Sequence, residues 1–264
     1  MAPTEIYKRY GLIGYPLSHS FSPNWFNTYF KENHLPGHLY ELFPLSSPAL
    51  IHDLINSHDQ LHGLNVTIPY KQSIIPYLDC LTPRATAIGA VNTIKIIRTN
   101  HTTKLIGHNT DVDGFGYLLD CYLKPKLIET QYSSKKAYAM VLGSGGASKA
   151  VQYTLQQYGI EYSVISRNPI HQTELSYSDF RNIAPHNYNL VINTTPMGTV
   201  GELEKLKPEI AYEKLSSHHH LIDLVYNPAI TPFLKAGLAA GATASNGKGM
   251  LIKQAEKAWD FWNS

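Results

Sequence analysis

The sequence of 264 residues lacks several features that mark special classes of protein. Its two cysteines, Cys80 and Cys121, have no CxxC spacing, so we expect reduced, partly buried thiols without a chemical role. There is no run of about 18 apolar residues, and a membrane span is therefore not expected. The first ten residues lack the apolar core of a secretory signal, so we expect a cytoplasmic protein.

Charge is also scarce and balanced. Charged residues make up 16% of the chain and the net charge is +2, which does not suggest nucleic acid or a membrane surface as a partner. A small anionic ligand is compatible with this balance. The consecutive histidines at 218–220 have no acid or cysteine close by in the sequence, and we interpret them as an incidental loop run without metal.

The hydrophobic fraction of 43% indicates a folded protein, and the length suits one large domain or two small ones. Near the middle, an apolar run at 137–142 predicts a buried strand that ends in the turn Gly143-Ser144-Gly145-Gly146. Glycines allow close approach of a ligand, and the N–H groups of the helix predicted to follow favour an anion such as phosphate. The glycine expected at the sixth position of a dinucleotide motif is missing, so an ordinary glycine turn is the alternative.

Before this turn the chain alternates between predicted strands and helices. The pattern comprises strands at 7–13 and 38–43, helices at 24–31, from 46 or 47, and at 83–88, and a hairpin formed by 89–97 and 104–107. After the turn it comprises strands at 162–166, 190–193 and 221–224, and a final helix at 250–262 that is expected to pack on the first half. This alternation predicts an α/β fold with mostly parallel sheets, the second of them Rossmann-like.

We therefore predict two domains with a cleft between them. The first comprises residues 1–112 and a C-terminal helical segment at 240–264, and the second comprises residues 113–239. The polar stretch at 122–135 is expected to form the junction.

Three positions carry polar groups at predicted element ends. Ser22 is expected to cap the helix that Pro23 begins, so that the hydroxyls of Ser18, Ser20 and Ser22 favour a carboxylate; alternatively, only Ser22 caps. Lys71 follows a strand end, where a solvated surface lysine is the ordinary interpretation. Asp111 or Asp113 opens a helix, and a capping role would explain either residue.

The strand after the glycine turn ends in Ser166-Arg167. An acid at this end would bind the ribose of NAD, whereas arginine suits the 2′-phosphate of NADP. A carboxylate is absent, and both Arg167 and the Ser166 hydroxyl can bind a phosphate, so we predict NADP(H). The alternative is that Arg167 is a plain surface residue.

Nine short motifs occur one after another along the chain. They are GLIG at 11–14, HSFSP at 19–23, NVTIPYK at 65–71, GAVNT at 89–93, GHNTDVDG at 107–114, GSGG at 143–146, NTTPMG at 193–198, DLVYNP at 223–228 and GKGMLIKQA at 247–255. Together they resemble the shikimate dehydrogenase family over nearly the whole chain.

The resemblance implies reversible NADP(H)-dependent interconversion of 3-dehydroshikimate and shikimate, a step of aromatic amino-acid biosynthesis. It implies an N-terminal substrate-binding and catalytic domain, an NADP-binding domain, and Lys71 with Asp111 as the catalytic pair. The implied substrate ligands are Ser20 and Ser22 for the carboxylate, and Asn65, Thr67, Asn92, Tyr226 and Gln254 for the ring and hydroxyls. The implied cofactor residues are Gly143, Ser144, Gly145, Gly146, Ala147, Ser166, Arg167, Thr195, Leu224, Gly247 and Met250.

The catalytic pair suits the chemistry. Hydride transfer to a ketone develops negative charge on oxygen, which an ammonium close by can stabilise and protonate. A carboxylate beside the lysine would orient it and favour its charged form.

Departures from the family pattern affect binding positions rather than Lys71 or Asp111. They are Trp25 in place of a common histidine, Ser144 for alanine, Ser166 for asparagine and Lys248 for leucine. Two alternative functions remain: a quinate or dual quinate/shikimate dehydrogenase that uses NAD, and a catalytically silent sensor, which the intact Lys71 and Asp111 disfavour. The expected partners are small molecules only, and the expected assembly is a monomer or homodimer.

Overall fold

The computed structural model describes residues 7–17, 20–129, 137–169, 174–184 and 187–264. Their contacts divide the chain into two compact units. The first consists of Met1–Thr110 with Ala255–Ser264, and the second of Asp111–Gln254.

These bounds differ from the predicted ones. The first division falls two residues before the predicted boundary at 112/113, and the second falls at 254/255 instead of 239/240. Residues 240–254 belong with the second unit because they include a strand, Thr243–Asn246, that pairs within its sheet. Of the predicted junction at 122–135, residues 122–129 are helical and residues 130–135 lie outside the described ranges.

The first unit contains a mixed six-stranded sheet in the order β2-β1-β3-β5-β6-β4. Its strands are β1 (Lys8–Gly14), β2 (His38–Pro44), β3 (Leu61–Val66), β4 (Cys80–Leu81), β5 (Thr93–Arg98) and β6 (Thr103–His108). Its helices are α1 (Ser22–Glu32), α2 (Ile51–Asn56), α3 (Tyr70–Ser73) and α4 (Pro83–Ile88), with 3₁₀ turns at Pro48–Leu50 and Ile75–Tyr77. The predicted hairpin is confirmed as the antiparallel β5/β6 pair.

The sheet is parallel between β1 and its two neighbours and between β4 and β6, and antiparallel on both sides of β5. Period-two alternation in β1 sends Ile13 to one apolar cluster and Tyr10 to another on the opposite face. Tyr10 there stacks on Trp262 with 4.8 Å between the ring centroids. The prediction that the C-terminal helix packs on the first half is confirmed for the residues around Trp262.

The second unit contains a six-stranded sheet in which every pairing is parallel, among the described residues. Its strands are β7 (Tyr138–Leu142), β8 (Glu161–Ile165), β9 (Glu174–Leu175), β10 (Leu190–Asn193), β11 (His220–Asp223) and β12 (Thr243–Asn246). Its helices are α5 (Asp111–Glu129), α6 (Gly146–Gln157), α7 (Tyr177–Asn182), α8 (Pro232–Ala239) and the beginning of α9 (Lys248–Asn263), with a 3₁₀ turn at Tyr212–Lys214.

The strand order of this sheet is β12-β11-β10-β7-β8-β9. Counted along the chain from β7, it is the 3-2-1-4-5-6 order of a doubly wound dinucleotide-binding sheet, which confirms the Rossmann-like prediction. In such a sheet the connections leave β7 and β10 in opposite directions, and a crevice opens outside their carboxyl ends. The glycine turn lies at that position.

No described helix is long and apolar enough to cross a membrane. The two cysteines are unpaired; Cys80 is half-buried, and Cys121 is exposed where partial burial was expected.

Candidate active site

A network of neutral hydroxyl and amide groups joins three strands of the first unit. The Tyr40 hydroxyl of β2 donates to Asn65 Oδ1 of β3 at 2.8 Å. Asn65 Nδ2 in turn donates to the Asn92 carbonyl and to the Thr93 hydroxyl, each at 3.3 Å. Because its oxygen and nitrogen have separate partners, the Asn65 amide has a defined orientation.

Asn92 continues the network to the end of the first unit. Its Nδ2 donates to the Thr110 hydroxyl at 3.0 Å, and its Oδ1 accepts from the Thr110 backbone N–H at 2.7 Å. Asn92 is 4% exposed, and Thr93 and Thr110 are fully buried. These bonds fix the backbone of Thr110, the residue that immediately precedes Asp111.

Lys71 lies in α3, one short turn after β3, and is half-buried. The turn is held by its backbone: the Thr67 N–H donates to the Ile13 carbonyl at 2.9 Å, and the Tyr70 N–H donates to the Thr67 carbonyl at 2.9 Å. The Lys71 carbonyl accepts from the Val91 N–H at 2.7 Å. Since Val91 immediately precedes Asn92, the backbone of the lysine and the polar network are joined in one hydrogen-bonded frame.

Three further predicted residues belong to the second unit: Asp111, Tyr226 and Gln254. Asp111 is the first residue of α5 and is fully buried. Tyr226 and Gln254 are half-buried. The pairing of Lys71 with Asp111 remains a prediction.

The two described serines of the predicted carboxylate site lie at the start of α1. The prediction that Ser22 caps this helix is wrong, because Ser22 is its first helical residue and the N-cap is Phe21, which makes no side-chain cap bond. Instead, the Ser20 hydroxyl accepts from the Ser22 N–H at 3.3 Å. Both serines are half-buried, and Ser18 lies outside the described residues.

In the second unit, the glycine turn connects β7 with α6. Gly143 has φ +105°, and a Cβ there would lie 2.8 Å from the Thr194 Oγ1 after β10, so both backbone conformation and space favour glycine. Ser144 and Gly145 are exposed, and no atom lies within 4 Å of a Cβ built at Gly145. The turn therefore presents the N-terminus of α6, including Gly146 and Ala147, with open space for an anion.

At the end of β8, Ser166 is buried and Arg167 is exposed. The Ser166 Oγ lies 3.4 Å from the Ser144 Oγ and accepts from the Asn168 N–H at 3.3 Å. The glycine turn and the end of β8 are thereby joined through two hydroxyls. An arginine beside hydroxyls, with no acid at this strand end, fits the extra phosphate of NADP.

Asp223 at the end of β11 is the centre of a second buried network. Its Oδ1 accepts from Asn193 Nδ2 at 2.9 Å and from the Val225 N–H at 3.0 Å, and its Oδ2 accepts from the Thr231 hydroxyl at 2.5 Å. Asn193 Oδ1 accepts from the Thr195 N–H at 3.0 Å and from its hydroxyl at 2.7 Å. Burial raises the pKa of Asp223 to about 6, although its three hydrogen bonds act in the opposite direction.

The remaining predicted cofactor residues lie near this network. The Leu224 N–H donates to the Asn193 carbonyl at 3.0 Å. A Cβ at Gly247 would collide with the Leu224 carbonyl oxygen, so the backbones meet only because residue 247 is glycine. Met250, in α9, is buried in the core of the second unit. The structure thus brings Thr195, Leu224 and Gly247 to one edge of the sheet.

The interpretation of 218–220 as a loop run is wrong for His220, which begins β11. His220 is buried, with Nδ1 at 2.8 Å from the Thr243 hydroxyl and Nε2 at 3.0 Å from the Ser245 hydroxyl. Its ring stacks on Tyr122. Within the described ranges no group of three potential metal ligands occurs.

Sequence reasoning did not single out several residues of these networks, Tyr40 and Asp223 among them. Tyr40 alternates with its neighbours like any inward-facing strand residue, and nothing in the sequence marks its hydroxyl. Asp223 does begin the DLVYNP segment, so its position in that motif was an available indication.

A doubly wound sheet with a glycine turn at its switch point, accompanied by a separate α/β unit with a polar network, defines a two-unit dinucleotide-dependent class of enzyme. Residues 12–94 match the model of the shikimate dehydrogenase substrate binding domain. A shikimate dehydrogenase (NADP(+)) from Clostridium beijerinckii is 38% identical, over 96% of this chain and 91% of its own length. The chain therefore belongs to the shikimate dehydrogenase family of oxidoreductases.

Two solved structures are similar over almost the whole chain. Shikimate dehydrogenase 1 from Peptoclostridium difficile is 34% identical with a TM-score of 0.81, and the match covers 97% of this chain and 91% of that one. A quinate dehydrogenase from Corynebacterium glutamicum in complex with NAD is 27% identical with a TM-score of 0.80, covering 98% and 94%.

Proposed function

We propose that the protein catalyses the reversible NADPH-dependent reduction of 3-dehydroshikimate to shikimate in aromatic amino-acid and chorismate biosynthesis. The observation that carries this proposal is the hydrogen-bonded backbone frame of the first unit. It attaches half-buried Lys71, through Val91, to the network of buried Asn92 and half-buried Asn65. A lysine on the same backbone frame as neutral hydrogen-bonding groups suits a polyhydroxylated substrate with a reacting carbonyl.

Lys71 is proposed to act at the carbonyl oxygen of 3-dehydroshikimate. Its ammonium stabilises negative charge on that oxygen and delivers the proton that completes the alcohol. The Asp111 carboxylate is proposed to accept one hydrogen bond from the Lys71 ammonium and another from the substrate hydroxyl, and so to orient both groups. In the reverse direction Lys71 takes the proton from the alcohol, so the same pair serves both directions.

The remaining residues proposed for the substrate site bind the substrate and orient it. The hydroxyls of Ser20 and Ser22 are proposed to donate to the substrate carboxylate, near the N-terminus of α1. The residues proposed for the ring and its hydroxyls are Asn65, Thr67, Asn92, Tyr226 and Gln254. Neutral donors and acceptors match hydroxyl groups without fixing extra charge in the site.

NADP(H), when bound, supplies or accepts the hydride. The N-terminus of α6 at Gly143, Ser144, Gly145, Gly146 and Ala147 is proposed to hold the pyrophosphate, where first-turn N–H groups and the helix dipole favour an anion. Ser166 and Arg167 are proposed to hold the 2′-phosphate. The residues proposed for the remaining contacts are Thr195, Leu224, Gly247 and Met250.

We further propose that the first unit binds substrate, that the second binds NADP(H), and that domain closure excludes water during the reaction. The protein is proposed to act in the cytoplasm as a monomer or homodimer. Light scattering of the purified protein distinguishes these two states, and larger assemblies would contradict both.

A four-way steady-state assay tests the function: shikimate or quinate, each with NADP+ or NAD+. We expect the highest kcat/KM for shikimate with NADP+. Lack of turnover with every pair, together with binding of shikimate in calorimetry, would instead support a non-catalytic sensor.

A second candidate is a quinate or dual quinate/shikimate dehydrogenase. It is favoured by the similarity to the NAD-bound quinate dehydrogenase, whose TM-score of 0.80 nearly equals that of the shikimate dehydrogenase at 0.81. The absence of an acid at the end of β8 argues against NAD. Faster oxidation of quinate with NAD+ than of shikimate with NADP+ would establish this alternative.

A further inference from the structure

Tyr40 is held in place by contacts that do not involve its hydroxyl. It lies in β2, the edge strand of the first sheet, where its backbone groups would lack partners on one side. The side chain of Asn27 in α1 supplies them: Nδ2 donates to the Tyr40 carbonyl and Oδ1 accepts from its N–H, both at 2.9 Å. The Tyr40 ring stacks on Phe26, with centroids 4.4 Å apart and planes 5° from parallel. Backbone and ring are thus fixed independently of the phenol oxygen.

The hydroxyl lies between residues of two other elements. It donates to Asn65 Oδ1 on β3, and the Ser22 side chain at the start of α1 is its second polar neighbour. The residue is 1% exposed, and burial raises the pKa of Tyr40 well above its ordinary value, an effect that the neighbouring Ser22 side chain partly opposes. The phenol therefore keeps its proton at physiological pH and remains a donor to Asn65.

We propose that Tyr40 is a positioning residue of the substrate site, which sets the Ser22 hydroxyl and the Asn65 amide in mutual register through one buried hydroxyl. This inference rests on the proposed function, which assigns Ser22 to the substrate carboxylate and Asn65 to the ring. Without the phenol oxygen, Asn65 Oδ1 loses its donor and the Ser22 side chain loses a polar neighbour. Both side chains then have more rotamers to lose when substrate binds.

Tyr40→Phe tests the role, with Tyr10→Phe as the matched control. Tyr10 belongs to the same aromatic cluster and is also 1% exposed, but none of the hydrogen bonds described for the predicted substrate residues involves it. We expect Tyr40→Phe to raise the shikimate Kd in calorimetry, and its KM, roughly threefold to tenfold, the range of one lost hydrogen bond. The kcat and the NADP+ Kd should stay within about twofold of wild type, and Tyr10→Phe should leave all four quantities within the same limit.

A double-mutant cycle with Ser22→Ala provides a readout that a merely structural role would not change. If Tyr40 acts through Ser22, the loss in shikimate affinity from Ser22→Ala should be smaller in the Tyr40→Phe background. Additive losses would contradict the connection. An unchanged shikimate Kd in a stable Tyr40→Phe protein, or an equal loss of NADP+ affinity, would overturn the proposal.

Asn27→Ala is the second variant, which applies even if Tyr40→Phe fails to fold. It removes the clamp on the Tyr40 backbone and leaves the Tyr40, Ser22 and Asn65 side chains present. We expect shikimate to bind roughly twofold to fivefold more weakly, with NADP+ unaffected; unaltered shikimate affinity would count against the proposal. Wild-type protein that binds no shikimate would refute the proposed function itself, whereas failure of the variants alone refutes only the role of Tyr40.

Discussion

The two units hold their polar residues by different means. In the first, Asn65 and Thr93 are direct partners in the antiparallel β3/β5 ladder, and their network consists of neutral amides and hydroxyls. In the second, Asn193 and Asp223 are direct partners in the parallel β10/β11 ladder, and their network is built on a carboxylate. The hydrogen bonds described for the network of the first unit therefore involve no carboxylate, whereas the network behind the cofactor residues is built on a carboxyl group whose pKa is raised to about 6.

Sheet type explains how each set of residues converges. Parallel strands place all their carboxyl ends at one edge, so the glycine turn after β7 and the residues after β10 and β11 meet without special arrangement. In the mixed sheet, the antiparallel β5 instead brings its beginning beside the end of β3. The residues just before β5, including Asn92, thereby join a site at strand ends.

The largest expected effect is the loss of kcat when Lys71 of the first unit is replaced. Lys71→Ala should lower kcat with shikimate and NADP+ by roughly 10²- to 10⁴-fold, the usual range for a general acid–base group, with smaller changes in KM. Steady-state kinetics measure this. Lys104→Ala, which removes an exposed lysine of the same unit, is the control and should retain wild-type rates. Equal kcat values for the two variants would refute the role of Lys71.

Asp223→Asn tests the titrating group of the second unit. The pKa of Asp223 is raised in the folded state to about 6, so its stabilising contribution is fully present below the unfolded pKa near 3.8 and is lost as pH rises through 6. When the pH falls from about 7.5 to about 4.5, the unfolding free energy of wild type should therefore increase by about 2 kcal/mol relative to that of Asp223→Asn.

Urea unfolding of both proteins at the two pH values gives this difference, and comparison of the pair cancels the other titrating groups. A difference that stays constant with pH would contradict the raised pKa and, with it, the contrast between the two networks.

Arg167→Ala tests the cofactor preference of the second unit. Loss of one charge-assisted bond at an exposed position should weaken NADP+ binding about tenfold and leave NAD+ binding unchanged. Arg181→Ala removes another exposed arginine of this unit and should alter neither. The dissociation constants for both cofactors decide the point, and equal weakening of NADP+ and NAD+ would exclude a 2′-phosphate contact.

The smallest expected effect separates backbone strain from crowding at the glycine turn. Gly143 and Gly159 both have positive φ, at +105° and +65°. A Cβ at Gly159 meets no atom within 4 Å, whereas one at Gly143 meets Thr194. Gly159→Ala should cost about 1 kcal/mol of stability, and Gly143→Ala about 1 kcal/mol more, measured by denaturant unfolding. Equal losses of stability in the two variants would mean that the Thr194 side chain moves away from the added Cβ without a measurable cost.

Prediction from sequence succeeded where local chemistry decides the structure. The helix Pro83–Ile88 and the strand Leu190–Asn193 have the predicted bounds, because Thr82-Pro83 begins a helix and a short apolar run forms a buried strand. It failed at β12, Thr243–Asn246, whose small and polar residues resemble a loop. That segment is a strand because β11 offers it a ladder of backbone partners.

The same distinction applies to the site. Ser22 followed by Pro23 has the local chemistry of a cap, yet the chain becomes helical at Ser22, and Ser20 instead accepts a bond from the Ser22 N–H. Tyr10 and Tyr40 are equally buried strand tyrosines. Only the position of Asn65 and Ser22 beside one of them gives its hydroxyl a proposed part in substrate binding.

The sequence by itself therefore determined the family, the alternation of strands and helices, and the residue types available for a dehydrogenase, because motifs and periodicity are properties of neighbouring residues. The tertiary structure decided which polar groups share hydrogen bonds: Tyr40 with Asn65, Asn92 with Thr110, and Asp223 with Asn193. Each of these pairs joins residues at least 18 positions apart in the chain. Their register depends on how strands pair across a sheet, which local sequence does not specify.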